Sequence, residues 1–141
     1  MNIIKKFENK IKASLFFLSL LTICISECKG LDGRGNGILA GAYHGKGIAL
    51  YELGSFQEAI QAFNKAIAIN PRFAEAYYNK GFALYELGSF QEAIQAYNEA
   101  IAINPKDAEA YFGKGIALRQ LGKFQEAIQA YNEAIGTVAN Q

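Results

Sequence analysis

The sequence predicts an all-α fold, a solenoid of three antiparallel helix-turn-helix units, on three observations. Gly45–Pro71 recurs 34 residues later as Asn79–Pro105 with only four of 27 positions changed (45/79, 48/82, 63/97 and 65/99), and a looser copy begins at Gly113. A fixed period of this size marks an array built by stacking one small unit. Within each unit, apolar residues recur at spacings of three and four, the helical period. Glycine punctuates each unit, and Asn-Pro the first two, at matching places where helices stop.

In chain order, residues 1–26 read as an address. Lys5, Lys6, Lys10 and Lys12 precede the uncharged, mostly apolar run Ala13–Ser26, the layout of a secretory signal peptide. Fourteen residues fall short of the roughly 20 that a spanning helix needs, so a cleaved signal peptide is expected ahead of an uncleaved signal anchor. Cys24 and Cys28 are the only cysteines. Ile23 stands where a lipid-bearing cysteine needs a small neighbour, so both are expected to be ordinary thiols. The expected location is exported, periplasmic or secreted, in a bacterial setting. Tethering to a membrane through an uncleaved N-terminus is the alternative, and the only membrane contact expected.

Residues 27–39 are expected to form a glycine-rich linker, since five of the twelve residues in Gly30–Gly41 are glycine and ordering such a segment costs backbone entropy. Gly33, Gly35 and Gly37 do not make a phosphate loop, because no strand precedes them and the final spacing is missing. The units are then assigned to 40–73, 74–107 and 108–141.

The second unit shows the logic. Over Glu75–Leu87, Tyr77, Gly81 and Leu84 share one helical face, and Gly88 supplies the stop. Ser89-Phe90-Gln91-Glu92 matches a capping box, as does Ser55 with Glu58. Lys123 takes the serine's place in the third unit and is expected to forfeit about 1 kcal/mol of cap. The second helix carries Phe90, Ala93, Ile94, Tyr97, Ala100 and Ile101 on one side, then ends at Asn104-Pro105 because a residue before proline avoids helical dihedrals. One such pair cannot bury its own apolar faces, so stacking is obligatory.

These residues resemble the tetratricopeptide repeat (TPR) family over residues 40–141. Tyr77, Gly81, Leu84, Ala93, Tyr97, Ala100 and Pro105 meet the family pattern in the second unit. Tyr43, Gly47, Leu50, Ala59, Phe63, Ala66 and Pro71 meet it in the first. Tyr111, Gly115, Leu118, Ala127, Tyr131 and Ala134 meet it in the third, where Ala139 replaces the proline. The resemblance implies a right-handed superhelix. Lys46, Lys80 and Lys114 stand where the family often has a larger apolar residue, and their stems are expected at the core edge with the ammonium in water.

Composition narrows the function. Residues 40–141 carry six Lys and two Arg against nine Glu and one Asp; this mildly acidic balance offers no footprint for nucleic acid. His44 is the only histidine, no nucleophile pairs with it, and near-identical repeats give their carboxylates near-identical environments. Acid–base chemistry needs environments that differ, so the expectation is no enzyme, no metal and no cofactor. An enzyme accessory subunit ranks below the readings that follow.

By resemblance, the first helix of each unit lines a groove that holds a partner protein's peptide or helix, which makes the chain a protein–protein interaction module. The positions carried over are His44, Ile48, Tyr51 and Glu52; Tyr78, Asn79, Phe82, Tyr85 and Glu86; and Phe112, Ile116, Arg119 and Gln120. The clamp with which one TPR subclass grips chaperone C-termini is not expected. His44, Ile48, Phe112 and Ile116 replace its basic and amide residues, and only Asn79 matches. The alternative reading is a self-assembling structural protein, in which Ile128, Tyr131 and Ile135 form an uncovered edge that builds homo-oligomers.

Overall fold

The computed structural model describes residues 33–140. The expected signal segment 1–26, with Cys24 and Cys28, lies outside the described residues. The repeats belong to a compact unit, Gly37–Gln141. Six helices follow one another, α1 (Gly33–Glu52), α2 (Phe56–Ile69), α3 (Ala74–Glu86), α4 (Phe90–Ile103), α5 (Ala108–Gln120) and α6 (Phe124–Ala139), with no strand among the described residues. They pair as α1/α2, α3/α4 and α5/α6, the all-α solenoid of helix-turn-helix repeats that the sequence predicts.

The turn inside each pair is the same three times. Gly54, Gly88 and Gly122 take φ of 77°, 77° and 74°, a left-handed conformation that a Cβ disfavours. In the first turn, the Ser55 N–H donates to the Leu50 carbonyl at 2.9 Å and the Gly54 N–H to the Tyr51 carbonyl at 2.9 Å, which satisfies the last carbonyls of α1. Between pairs, the Asn70 side chain accepts from the Arg72 N–H at 3.2 Å, and Asn104 from Lys106 at 3.3 Å. Each asparagine closes the turn that its proline begins.

The capping boxes do not form. Ser55 and Ser89 make no side-chain cap bond, because the chain enters these helices at ψ near 60° straight out of the glycine turn. Lys123 therefore forfeits no cap, and instead pairs with Glu126 at 3.6 Å. The side-chain cap that does form is Asp107, which accepts from the Ala110 N–H at 3.1 Å. Of the expected linker 27–39, residues 27–32 lie outside the described residues, and the remainder needs correction. From Gly33 onward the glycine-rich stretch is helical and continuous with α1, since adding a turn to an existing helix avoids the cost of nucleation.

The core is a line of small residues alternating with rings. Ala59, Ala66, Ala76, Ala83, Ala93, Ala100, Ala110 and Ala117 are fully buried, and Phe63, Tyr97 and Leu118 are the largest side chains shut away from water. The glycines of α1, α3 and α5 explain the close approach. A Cβ on Gly47 would lie 2.5 Å from the Phe63 ring, on Gly81 2.7 Å from Tyr97, and on Gly115 2.5 Å from Tyr131. Such distances leave no room for a methyl group, so each glycine is required by the ring it faces.

Gly41 is different, because nothing lies within 4 Å of a Cβ built there. Its cost to α1 is purely conformational. Gly41→Ala is expected to stabilise the array by about 0.5–1 kcal/mol, seen as a raised urea midpoint in far-UV circular dichroism.

Candidate peptide groove and repeat ends

The face made by α1, α3 and α5 gathers part of the expected groove into one pocket. Ile48, Tyr51, Phe63, Tyr78, Asn79 and Phe82 line a cavity of about 240 Å³. Its walls are rings in edge and tilted contact: Tyr51–Phe82 at 6.3 Å, Tyr78–Phe82 at 5.4 Å and Phe82–Tyr97 at 6.5 Å between centroids. Edge contacts of this kind hold aromatic side chains in place. Ile48 is exposed at the mouth, and Asn79 is the polar point. Phe63 is the member that the sequence reading assigned only to the core; its ring is buried yet closes the floor.

His44 sits beside this pocket. Its Nε2 lies 2.8 Å from the Asn79 side-chain amide nitrogen, and its ring packs against Phe73 at 4.7 Å and Phe63 at 5.8 Å. Nε2 accepts that bond when the ring is neutral with its proton on Nδ1. Burial lowers the His44 pKa, and the Glu75 carboxylate offsets this only in part. The unfolded chain therefore takes up a proton as pH falls through the ordinary value of 6.5 while the folded chain resists it. Stability from this site is complete above that pH and declines below it. Urea midpoints measured between about pH 7.5 and 5.5 are expected to fall on the acid side, with the fall reduced in His44→Asn.

Other expected groove residues bridge the repeats. The Tyr51 hydroxyl donates to Glu86 Oε1 at 3.5 Å, and the Tyr85 hydroxyl accepts from the Gln120 side-chain amide at 2.9 Å. Burial and Glu86 raise the Tyr51 pKa. Burial, then the Glu109 and Asp107 carboxylates, push Tyr78 up to about 12, so both phenols stay neutral near pH 7. Ile116 is half-buried and Arg119 exposed, further along the same face. Phe112 does not join the pocket. It stacks on Tyr131 at 5.8 Å and is 55% exposed at the end of the array, over a separate apolar cavity with Ile135 and Val138.

At that end, Ile128 and Ile135 are exposed and Tyr131 is half-buried. Among the described residues, no group of three His, Cys, Asp or Glu side chains is placed to hold a metal ion, and no helix is long and apolar enough to cross a membrane.

Comparison with known proteins agrees with this geometry. Two profiles described as tetratricopeptide repeat match residues 44–108 and 84–141. No curated protein matches the chain significantly. Among solved structures, the crystal structure of MamA is 34% identical with a TM-score of 0.70, covering 72% of this chain. This chain spans only 59% of that one. The TPR domain of Arabidopsis OM64 is 28% identical with a TM-score of 0.72, covering 75% of this chain and 88% of its own. The first TPR of Spaghetti (RPAP3), bound to the HSP90 peptide SRMEEVD, is 27% identical with a TM-score of 0.70, covering 73% and 82%. With two matches to the same repeat that together span residues 44–141, the chain belongs to the tetratricopeptide repeat family.

Proposed function

We propose that the α1/α3/α5 face binds a peptide or helix of a partner protein, with no catalysis of its own. The observation that carries this reading is the pocket of Ile48, Tyr51, Tyr78, Asn79 and Phe82: aromatic walls, an exposed aliphatic rim and one amide to fix orientation. Small sites of this make-up take an apolar anchor side chain. The likeness to TPR domains solved with HSP90 and Hsp70 peptides supports a peptide as the ligand class. Ile48, Phe112 and Ile116 replace the basic and amide residues of a carboxylate clamp, which directs the preference toward an apolar anchor rather than an acidic tail. We also propose that residues 1–26 export the array, a reading that N-terminal sequencing of the mature protein tests.

Ile48→Asp and Phe82→Ala are expected to weaken capture of the native partner by about tenfold or more. The exposed position of Ile48 makes its variant a folding control. Unchanged affinity in a folded Ile48→Asp protein, measured by titration calorimetry with the captured partner, would remove the pocket from the interface.

A further inference from the structure

We propose that this chain stacks head-to-tail on a second copy of itself, with α1 of one copy docking on α5 and α6 of the other. In that arrangement α1 takes the place that α3 holds against the first repeat and α5 holds against the second. The inference is independent of the groove reading and uses the two ends of the array.

The ends expose the faces that the interior joints bury. Ile60 and Ile94 are 9% and 6% exposed where the next repeat covers them, while their counterpart Ile128 is 52% exposed. On the leading side, Ala76 and Ala83 in α3 and Ala110 and Ala117 in α5 are fully buried, whereas Ala42 and Ala49 of α1 are exposed. Each end thus presents one half of a joint that the molecule already builds twice.

Charge complementarity fixes the register. In each interior joint a tyrosine bonds a residue 35 further on, Tyr51 to Glu86 and Tyr85 to Gln120, with His44 and Asn79 making a second bond across the first joint. Continuing the 34-residue register, the tyrosine's position at the trailing end is Arg119, and its partner's position at the leading end is Glu52. Both are exposed. A second copy docked in register therefore sets Glu52 against Arg119, an opposite-charge pair at the place of the bridging bond.

Steric fit agrees. Tyr97 abuts Gly113 of the following repeat, where a Cβ would lie 2.7 Å from the ring and 3.1 Å from its hydroxyl oxygen. Ahead of Phe63, which lacks the hydroxyl, the corresponding residue is the larger Asn79. Tyr131, like Tyr97, carries the hydroxyl, and the residue at that register in α1 is again a glycine, Gly45, with open space around it. The apolar ends match as well. In the second joint, Lys106 and Asp107 flank a cavity beside Tyr78. At the free end, the equivalent cavity of about 530 Å³ is lined by Phe112, Ile135 and Val138. The sequence positions that match Lys106 and Asp107 in α1 are Ile38 and Leu39, which are helical there and exposed at 76% and 47%.

A joint between different faces is heterologous, and where its rotation does not close a ring it grows as an open stack. Sedimentation equilibrium of the full chain is expected to show average mass rising continuously with concentration. Gly45→Leu, at a site with no intramolecular neighbour, is expected to keep the helical circular dichroism spectrum and to weaken each association step by at least about tenfold. Arg119→Glu and Glu52→Arg place like charges in the joint and are each expected to weaken it by about two- to fivefold. An equimolar mixture of the two, or the double variant, restores association because opposite charges meet again. Wild-type chain that stays monomeric overturns the proposal. So does growth that persists unchanged in folded Gly45→Leu, which would locate association in residues 13–26 or another face. Failure of the charge-swapped mixture to recover overturns the register.

Discussion

Tyr97→Ala is expected to lose about 3–5 kcal/mol of unfolding free energy, the range for deleting a large buried ring, and to leave much of the protein unfolded without denaturant. Tyr97 is 1% exposed and is held between Gly81 of its own repeat and Gly113 of the next. Tyr78 and Phe82 meet its ring at 6.0 and 6.5 Å. One side chain therefore joins two repeats and backs the groove. A domain of this size has only about 5–15 kcal/mol in total, and an array transmits a lost joint to both neighbours. Urea titration followed by far-UV circular dichroism measures the effect; a midpoint close to wild type would show that the neighbouring alanines close over the gap.

Gly81→Leu is expected to destabilise by about 1–3 kcal/mol or more through overpacking, although leucine is the better helix former by close to 1 kcal/mol. The new Cβ would sit 2.7 Å from the Tyr97 ring, and Gly113 blocks that ring from retreating on its other side. The contrast with Gly41→Ala separates two uses of glycine on one scaffold: removal helps where nothing is near and harms where a ring is. Adding Tyr97→Ala to Gly81→Leu lets the leucine occupy the vacated space, so the double variant should lose less than the sum of the two singles. A double-mutant cycle by urea denaturation reads that coupling directly.

The helix pairs and their period were legible because identity at a 34-residue spacing is visible without any structure. The buried face of α4 was legible from Ala93, Ile94, Tyr97 and Ala100, which fall on one helical side. The serine caps were misread: Ser55 and Ser89 satisfy the capping-box spacing, but the preceding glycine turn sets a backbone angle that aims the hydroxyl away. The linker was misread because glycine content speaks to local propensity, while α1 is continued by attachment to a packed helix. In the groove, Ile48, Tyr51, Tyr78, Asn79 and Phe82 converge, but Phe112 does not, since its ring packs beside Tyr131 over the separate cavity of Ile135 and Val138. Of the coupling of Phe63 with Asn79 and of Tyr97 with Gly113, the 63/97 half lay in plain sight among the four differences, while the 79/113 half is a difference between the second and third units. It became readable only when the structure showed which ring faces which helix.

The near-identity of α2 and α4 reaches into folding kinetics. Phe56–Ile69 and Phe90–Ile103 differ only at 63/97 and 65/99, so an unfolded chain holds two almost interchangeable candidates for each docking site. Besides the exposed pair Lys65 and Glu99, a phenolic oxygen and the residue opposite it tell them apart: Tyr97 faces Gly113, while Phe63 faces Asn79. A chain that sets α2 where α4 belongs skips a repeat and buries nearly the same surface, then must come apart to correct itself. Refolding should therefore carry a slow, denaturant-accelerated error-correcting phase, and Phe63→Tyr, which erases the label, should enlarge its amplitude.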